Sequence, residues 1–208
     1  MTSPPAGNEQ AEDRSKEQIR QELIQAASQR LQGEGVDDFS TTKVADDCNT
    51  SRQMIYTLFG GKAELLKAVY DDTAQRLSDD LDTVEADDPL ERFYELGHVY
   101  RDFMLENAAL FDRMLSLKAS QNYAGPGKLI TRSPAHDHFD DALEDCKEAG
   151  IIPEDVDVEE LTDVLWAGVN GIIRLQLIDY YDDEETAREH YDRLAFDILG
   201  GESSDLGL

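Results

Sequence analysis

The sequence predicts an all-α chain, a small N-terminal head followed by a larger helical body. Three observations carry that expectation. Capping residues punctuate the chain at regular places, apolar residues recur at helical spacing between them, and all six prolines fall in a tail, a linker or a first helical turn. Sustained strict alternation flanked by hairpin turns is missing from the sequence, so strands are not expected.

The helix starts are legible in order. Ser15-x-x-Gln18 and Thr50-x-x-Gln53 have the spacing at which a hydroxyl and an amide each satisfy an orphan backbone N–H. Asp88-Pro89 and Ser133-Pro134 set an N-cap before proline at the first helical position. Asp157-x-x-Glu160 and Asp182-x-x-Glu185 place acids at the positive end of two further helices. Between these starts, Ile19, Leu23, Ala27 and Leu31 make one apolar stripe, and Phe93, Tyr100, Met104, Phe111 and Met114 make another. Nine helices are expected, over 15–33, 41–47, 51–58, 62–86, 89–106, 107–118, 134–149, 158–179 and 183–199. The stretch 121–132, with Gly125-Pro126-Gly127, is the expected flexible loop.

With 208 residues, 40% of them hydrophobic, the chain can bury a core as one large or two small domains and is not a disordered polymer. It contains no run of about twenty apolar residues, so no transmembrane helix is expected. Residues 1–13 lack both the basic start and the apolar centre of a secretory signal and read as a disordered tail. Cys48 and Cys146 fall in helices of different domains, where a reduced, buried thiol and a cytoplasmic location are expected.

The net charge of −27 argues at first against nucleic acid, whose binding usually begins with a basic surface. The distribution of that charge points the other way. Residues 14–70 carry eight Lys and Arg against eight Asp and Glu, residues 1–13 contribute −3, and residues 71–208 contribute −24. The acid belongs to the body. A solvated acidic surface with sparse lysine suits a halophilic protein in a high-salt cytoplasm.

The stretch Phe39 to Lys62 holds two very short helices separated by Cys48-Asn49-Thr50. Asn49 tolerates the left-handed backbone such a turn requires. Val44, Cys48 and Ile55 can then share a small core with Leu23 and Ala27, which fixes the second helix with its N-terminal residues projecting outward. A recognition helix reads the major groove from that end, while the helix before it crosses the backbone.

Here the chain resembles the TetR family of one-component transcriptional regulators. The resemblance rests on Thr41, Val44-Ala45, Ser51, Ile55-Tyr56, Phe59, Lys62 and Leu65 in the family's register, and it covers residues 16–68. Asn49 and Gln53 stand where the family commonly has glycine, and Gln53 can instead pair bidentately with an adenine edge. The resemblance implies a helix-turn-helix DNA-binding domain over 14–70, a helical effector-binding and dimerisation domain over 71–200, and a tail over 201–208. It makes Tyr56 a phosphate ligand and Lys62, at the start of the fourth helix, a further DNA contact. Thr41, Thr42 and Lys43 would hold the DNA backbone, while Ser51, Arg52, Gln53, Met54 and Thr57 would face the operator, with Arg52 and Gln53 as base readers.

A second resemblance lies in the body. Glu106-Asn-Ala-Ala-Leu-Phe-Asp-Arg-Met114, Glu148-Ala-Gly-Ile-Ile-Pro153 and Trp166-Ala-Gly-Val-Asn-Gly171 look like a TetR-type C-terminal domain marked by a Trp-His-Gly signature, with Asn170 in place of the histidine. The segment from Val158 to Asp179 is apolar on more than one face, as a helix packed on its own domain and on a partner should be. The resemblance implies a homodimer joined by the last two helices through Gly168, Ile172, Leu175, Tyr191, Leu194 and Ile198. It also implies a pocket for a largely apolar effector lined by Tyr100, Phe103, Met104, Phe111, Met114, Trp166 and Asn170. The implied function is a ligand-responsive repressor bound as a dimer to a palindromic double-stranded operator.

Two other classes compete. An enzyme would need a constellation that is missing here: His136-Asp137-His138 is the one suggestive cluster, and residues two apart on a helix face different ways. No catalytic residue, metal site or cofactor is therefore expected. An acidic protein-interaction module or DNA mimic would use the body, and the neutral head argues against it.

Overall fold

The computed structural model describes residues 15–33, 39–111 and 132–199. Among them it shows eight α-helices and no strand: α1 (Lys16–Gly33), α2 (Thr41–Asp47), α3 (Arg52–Phe59), α4 (Lys62–Leu81), α5 (Pro89–Glu106), α6 (Pro134–Glu148), α7 (Val158–Leu177) and α8 (Glu184–Ile198). The helix expected over 107–118 falls mostly outside the described residues, and its described part, 108–111, is helical. None of the described helices is long and apolar enough to cross a membrane. The chain divides into two compact units, one ending within α4 at Asp72 and the other taking up α4 at Thr73 and containing α5 to α8.

The first unit is held by a small core. Leu23, Ala27 and Leu31 from α1, Val44 from α2, Ile55 from α3 and Leu65 and Val69 from α4 are all fully buried. Each such leucine or isoleucine contributes about 1.5–3 kcal/mol relative to exposure. At the start of α1 the Ser15 N–H donates to Gln18 Oε1 (2.7 Å) and the Gln18 N–H to Ser15 Oγ (3.2 Å), the reciprocal cap the spacing predicts.

The second unit buries a longer list of large side chains. Phe93, Leu96, Tyr100, Phe103 and Met104 of α5 meet Ala142, Leu143 and Cys146 of α6, Leu165, Val169 and Ile173 of α7, and Tyr191 of α8. The Phe139 ring meets Phe93 and Tyr100 edge-on, at 6.3 and 6.0 Å between centroids. Polar bonds stitch helices that are distant in sequence. Tyr191 donates its hydroxyl to the Gly97 carbonyl (2.8 Å), Arg92 donates to Asp145 (2.8 Å), and Arg132 bridges Asp140 and Asp163. Burial pushes the Cys146 thiol up to about 11, so it is an inert core residue.

Four helix boundaries differ from expectation, each for a local reason. Helix α4 stops at Leu81, not at 86: Asp79, Asp80 and Asp82 crowd its negative end, and Thr83 turns the chain by donating its hydroxyl to the Asp80 carbonyl (2.7 Å). The N-cap of α3 is Ser51, whose Oγ accepts from the Met54 N–H (3.2 Å), so the pair Thr50 and Gln53 does not form the cap. The cap of α8 is Asp183, which accepts from the Thr186 N–H (2.8 Å), one residue after the predicted Asp182. Helix α7 ends at Leu177 because Asp179 turns left-handed at φ 55°.

Candidate DNA-binding head

Helix α2 ends in a two-bond turn. The Asn49 N–H donates to the Asp46 carbonyl (3.1 Å) and the Thr50 N–H to the Ala45 carbonyl (3.0 Å), with Asn49 at φ 49°. This is a Schellman motif with asparagine, not glycine, in the left-handed position. It satisfies two orphan carbonyls of α2 and delivers the chain directly into the Ser51 cap of α3. Helix α3 closes on Gly60, at φ 98°, whose N–H donates to the Tyr56 carbonyl (3.0 Å). Ile55 anchors the inner face of α3, so Arg52, Gln53, Tyr56 and Thr57 are left on its exposed face.

These four side chains are not equivalent. Arg52 Nη2 donates to the Tyr56 hydroxyl oxygen (3.0 Å), and its guanidinium carbon lies 5.4 Å from the centre of the Tyr56 ring. Thr57 gives its hydroxyl proton to the Gln53 carbonyl (2.9 Å). The Gln53 side chain is exposed. Of the remaining residues expected on DNA, Thr42 and Lys43 are exposed, whereas Thr41 is buried and Met54 half-buried. Ser51 is the cap already described. Lys62 extends back along the head: its Nζ donates to the Phe39 carbonyl (3.0 Å) and lies 5.2 Å from the centre of the Phe39 ring.

A further tie had no signal in the sequence. Arg30 of α1 grips Asp47 of α2 with two guanidinium nitrogens, and this pairing holds the Asp47 carboxyl below the usual carboxylate range. Arg20 lies over the Phe59 ring at 5.4 Å. Both pairs join residues 17 or more positions apart, beyond the reach of a helical pattern.

Residues 23–69 match the bacterial regulatory proteins of the tetR family, and residues 93–198 match the tetracyclin repressor-like C-terminal domain. The chain belongs to the tetR family. No curated protein matches it. Among solved structures it is similar to a protein of unknown function from Rhodococcus sp. RHA1, at 22% identity, with 90% of this chain and 97% of that one covered and a TM-score of 0.69. A putative TetR-family transcriptional regulator from Rhodococcus sp. is 18% identical over 88% of this chain and 95% of that one, with a TM-score of 0.67. The fatty acid degradation regulator FadR from Bacillus halodurans is 17% identical over 84% and 93%, with a TM-score of 0.65. At these identities the likeness is one of fold: a tetR-family helix-turn-helix domain followed by a helical C-terminal domain.

Within the tetR-type C-terminal domain the expected effector residues are placed as follows. Tyr100, Phe103 and Met104 are core, and Phe111 is half-buried against that core. Asn170 donates to the Tyr100 hydroxyl (2.7 Å) and to the Trp166 carbonyl (2.7 Å), and the Trp166 ring sits 5.9 Å from His136. Burial holds His136 below the usual histidine range, and its Nδ1 accepts the Ser133 N–H (3.1 Å) at the start of α6. Met114 lies outside the described residues, as does the side chain of Ile198. An open cleft lined by Val84, Glu85, Ala86, Asp87, Pro89, Arg92 and Asp145 includes none of the expected residues.

The residues expected at a dimer interface divide. Tyr191 is 4% exposed and bonded to Gly97, and a Cβ on Gly168 would lie 2.6 Å from Leu194 Cδ2. Gly168 and Leu194 thus pack on each other within the chain, and both are half-buried. Ile172 and Leu175 are half-buried. The outer face of α7 instead presents Val164, Ala167 and Gly171, with Ile178 just past its end, and nothing lies within 4 Å of a Cβ built on Gly171. They recur at spacings of three, four and seven residues, as residues on one helical face do.

Proposed function

We propose that this tetR-family protein is a ligand-responsive repressor that binds a palindromic operator as a homodimer. The observation that supports it best is the exposed face of α3. Arg52, Gln53, Tyr56 and Thr57 stand outward on a helix fixed at both ends, within the charge-balanced stretch 14–70 of an otherwise strongly acidic chain. Thr42 and Lys43 at the start of α2 would hold the DNA backbone, and the Gln53 amide would pair with a base edge. Two heads on half-sites about 34–36 Å apart gain affinity and specificity together. The dimer face is Val164, Ala167, Gly171, Leu175 and Ile178 of the α7 segment, packing across a two-fold axis. The effector is an apolar molecule that opens the core around Tyr100, Phe103, Met104, Phe111 and Trp166, and it acts by its differential affinity for two states of the body. The acidic surface of the body suits a high-salt cytoplasm.

The test is selection of duplexes from a randomised 30-base-pair pool, with light scattering on the free protein. Enrichment of an inverted repeat by a protein of twice the chain mass is expected. Enrichment of unrelated sequences, or a protein of single-chain mass at micromolar concentration, would overturn the reading.

A further inference from the structure

The Arg52–Tyr56 contact carries more than an exposed pair would suggest. The chain holds 46 acidic residues, yet α3 contains none, and the partner Arg52 takes is a phenol. A phenol fixes the direction of the guanidinium without neutralising it. In the reverse sense, the Tyr56 oxygen accepts from Arg52 Nη2, so its own proton is left to be donated outward. Two donors of unlike type, one bearing a full charge, are thereby aimed from one turn of helix. That arrangement suits a tetrahedral, anionic acceptor with several oxygens, not the flat edge of a guanine. The neighbouring Thr57 hydroxyl proton is spent on the Gln53 carbonyl, and the exposed Gln53 amide lies outside the Arg52–Tyr56 pair and can both donate and accept.

We infer that Arg52 and Tyr56 form one composite phosphate clamp, so that Arg52 positions the head on the DNA backbone and base discrimination by α3 falls to Gln53. The inference rests on the operator-binding reading and departs from the sequence expectation that Arg52 reads a base. In the clamp, Arg52 acts partly through Tyr56 and partly through its own remaining donors, and the two residues act as a unit.

The experiment compares Arg52→Ala, Arg52→Lys, Tyr56→Phe, Gln53→Ala and the double variant Arg52→Ala/Tyr56→Phe with the wild-type protein. Each is put through the same duplex selection, and binding to the wild-type protein's enriched duplex is measured from 0.1 to 1 M KCl. Arg52→Ala is expected to enrich the same motif as the wild type and to bind every enriched duplex about 10-fold more weakly. Its salt slope should be shallower by about one per head. Arg52→Lys, which keeps the charge but loses the planar fork, should fall between. The double variant should be weaker than either single variant by less than the product of their losses. Gln53→Ala should change the motif at one position. A motif for Arg52→Ala that loses a guanine, or losses that multiply independently in the double variant, would overturn the clamp and leave operator binding standing. A wild-type protein that enriches no duplex would overturn operator binding and the clamp with it. All three residues are exposed, so circular dichroism of the variants should match the wild type.

Discussion

The head and the body of this chain are built by different means. The short helices of the head are framed by bonds that close within a few residues (the Ser15–Gln18 cap, the Asn49 turn, the Ser51 cap and the Gly60 stop), and its longer ties, Arg30 to Asp47 and Lys62 to Phe39, span 17 and 23 positions. The body takes its shape from bonds across long stretches of chain, such as Tyr191 to Gly97 and His98 to Asp192, each 94 residues apart, and Asn170 to Tyr100, 70 apart. Charge divides the same way. The head is balanced and the body carries a large negative excess. A recognition surface framed by local turns can keep its geometry while the body's surface and interior adapt to solvent or ligand.

Substitutions that damage one region and spare the other sharpen this contrast. The largest effect is expected from Ile55→Ala, which empties a fully buried site in the head and should cost about 2–5 kcal/mol. The single tryptophan, Trp166, lies in the body and reports on it alone. Far-UV dichroism should therefore lose part of its helix signal at lower temperature while the Trp166 fluorescence midpoint stays put. Midpoints that move together would break the distinction. Next, Gly168→Val forces a side chain onto Leu194 and should cost the body about 1–3 kcal/mol. The Trp166 midpoint should fall, and Leu194→Ala in the same chain should recover part of it.

Smaller again is Asn49→Ala, which must hold a left-handed backbone and should cost about 1–2 kcal/mol, whereas Asn49→Gly should be near neutral in urea titration. The smallest effect is a difference in acid response. His136 sits below the ordinary histidine range, so its neutral form favours the fold above pH 6.5, and that stability falls away as the pH drops from 6.5 through the lower folded value. Asp47 is likewise depressed, so the Arg30 pair stabilises the head above the ordinary carboxylate range and is lost only as the pH falls below it. The Trp166 signal should weaken first on acidification, and His136→Gln should delay it. A head that loosens before the body would reverse the assignment.

The same contrast explains how much could be read beforehand. Local devices were legible: the left-handed Asn49, the caps at Ser15, Asp88 and Asp157, and the core role of Val44, Cys48 and Ile55 follow from residue types at short spacing. The misplaced N-caps were off by one residue, Thr50 for Ser51 and Asp182 for Asp183, where adjacent side chains are chemically alike and only the turn decides. In the body, helical spacing identified apolar faces but not what covers them. Tyr191 bonds to Gly97 and Gly168 packs on Leu194, contacts that apolar spacing alone does not identify. Arg101, 2% exposed and bonded to Gln176 at 2.8 Å, gave no warning of its burial, because that partner lies 75 positions along the chain.

The central claim is that the head grips DNA with few cations despite the acidity of the chain. Lys43 and Arg52 are the cations of α2 and α3, so a dimer brings about four charges to the phosphates from these helices. The measurement is the binding constant for the enriched duplex as a function of KCl. A logarithmic slope of about −4 or shallower, with the protein still folded and bound near 1 M salt, is the expected result. A slope of about −8 or steeper, as for an ordinary basic reader, would contradict the account.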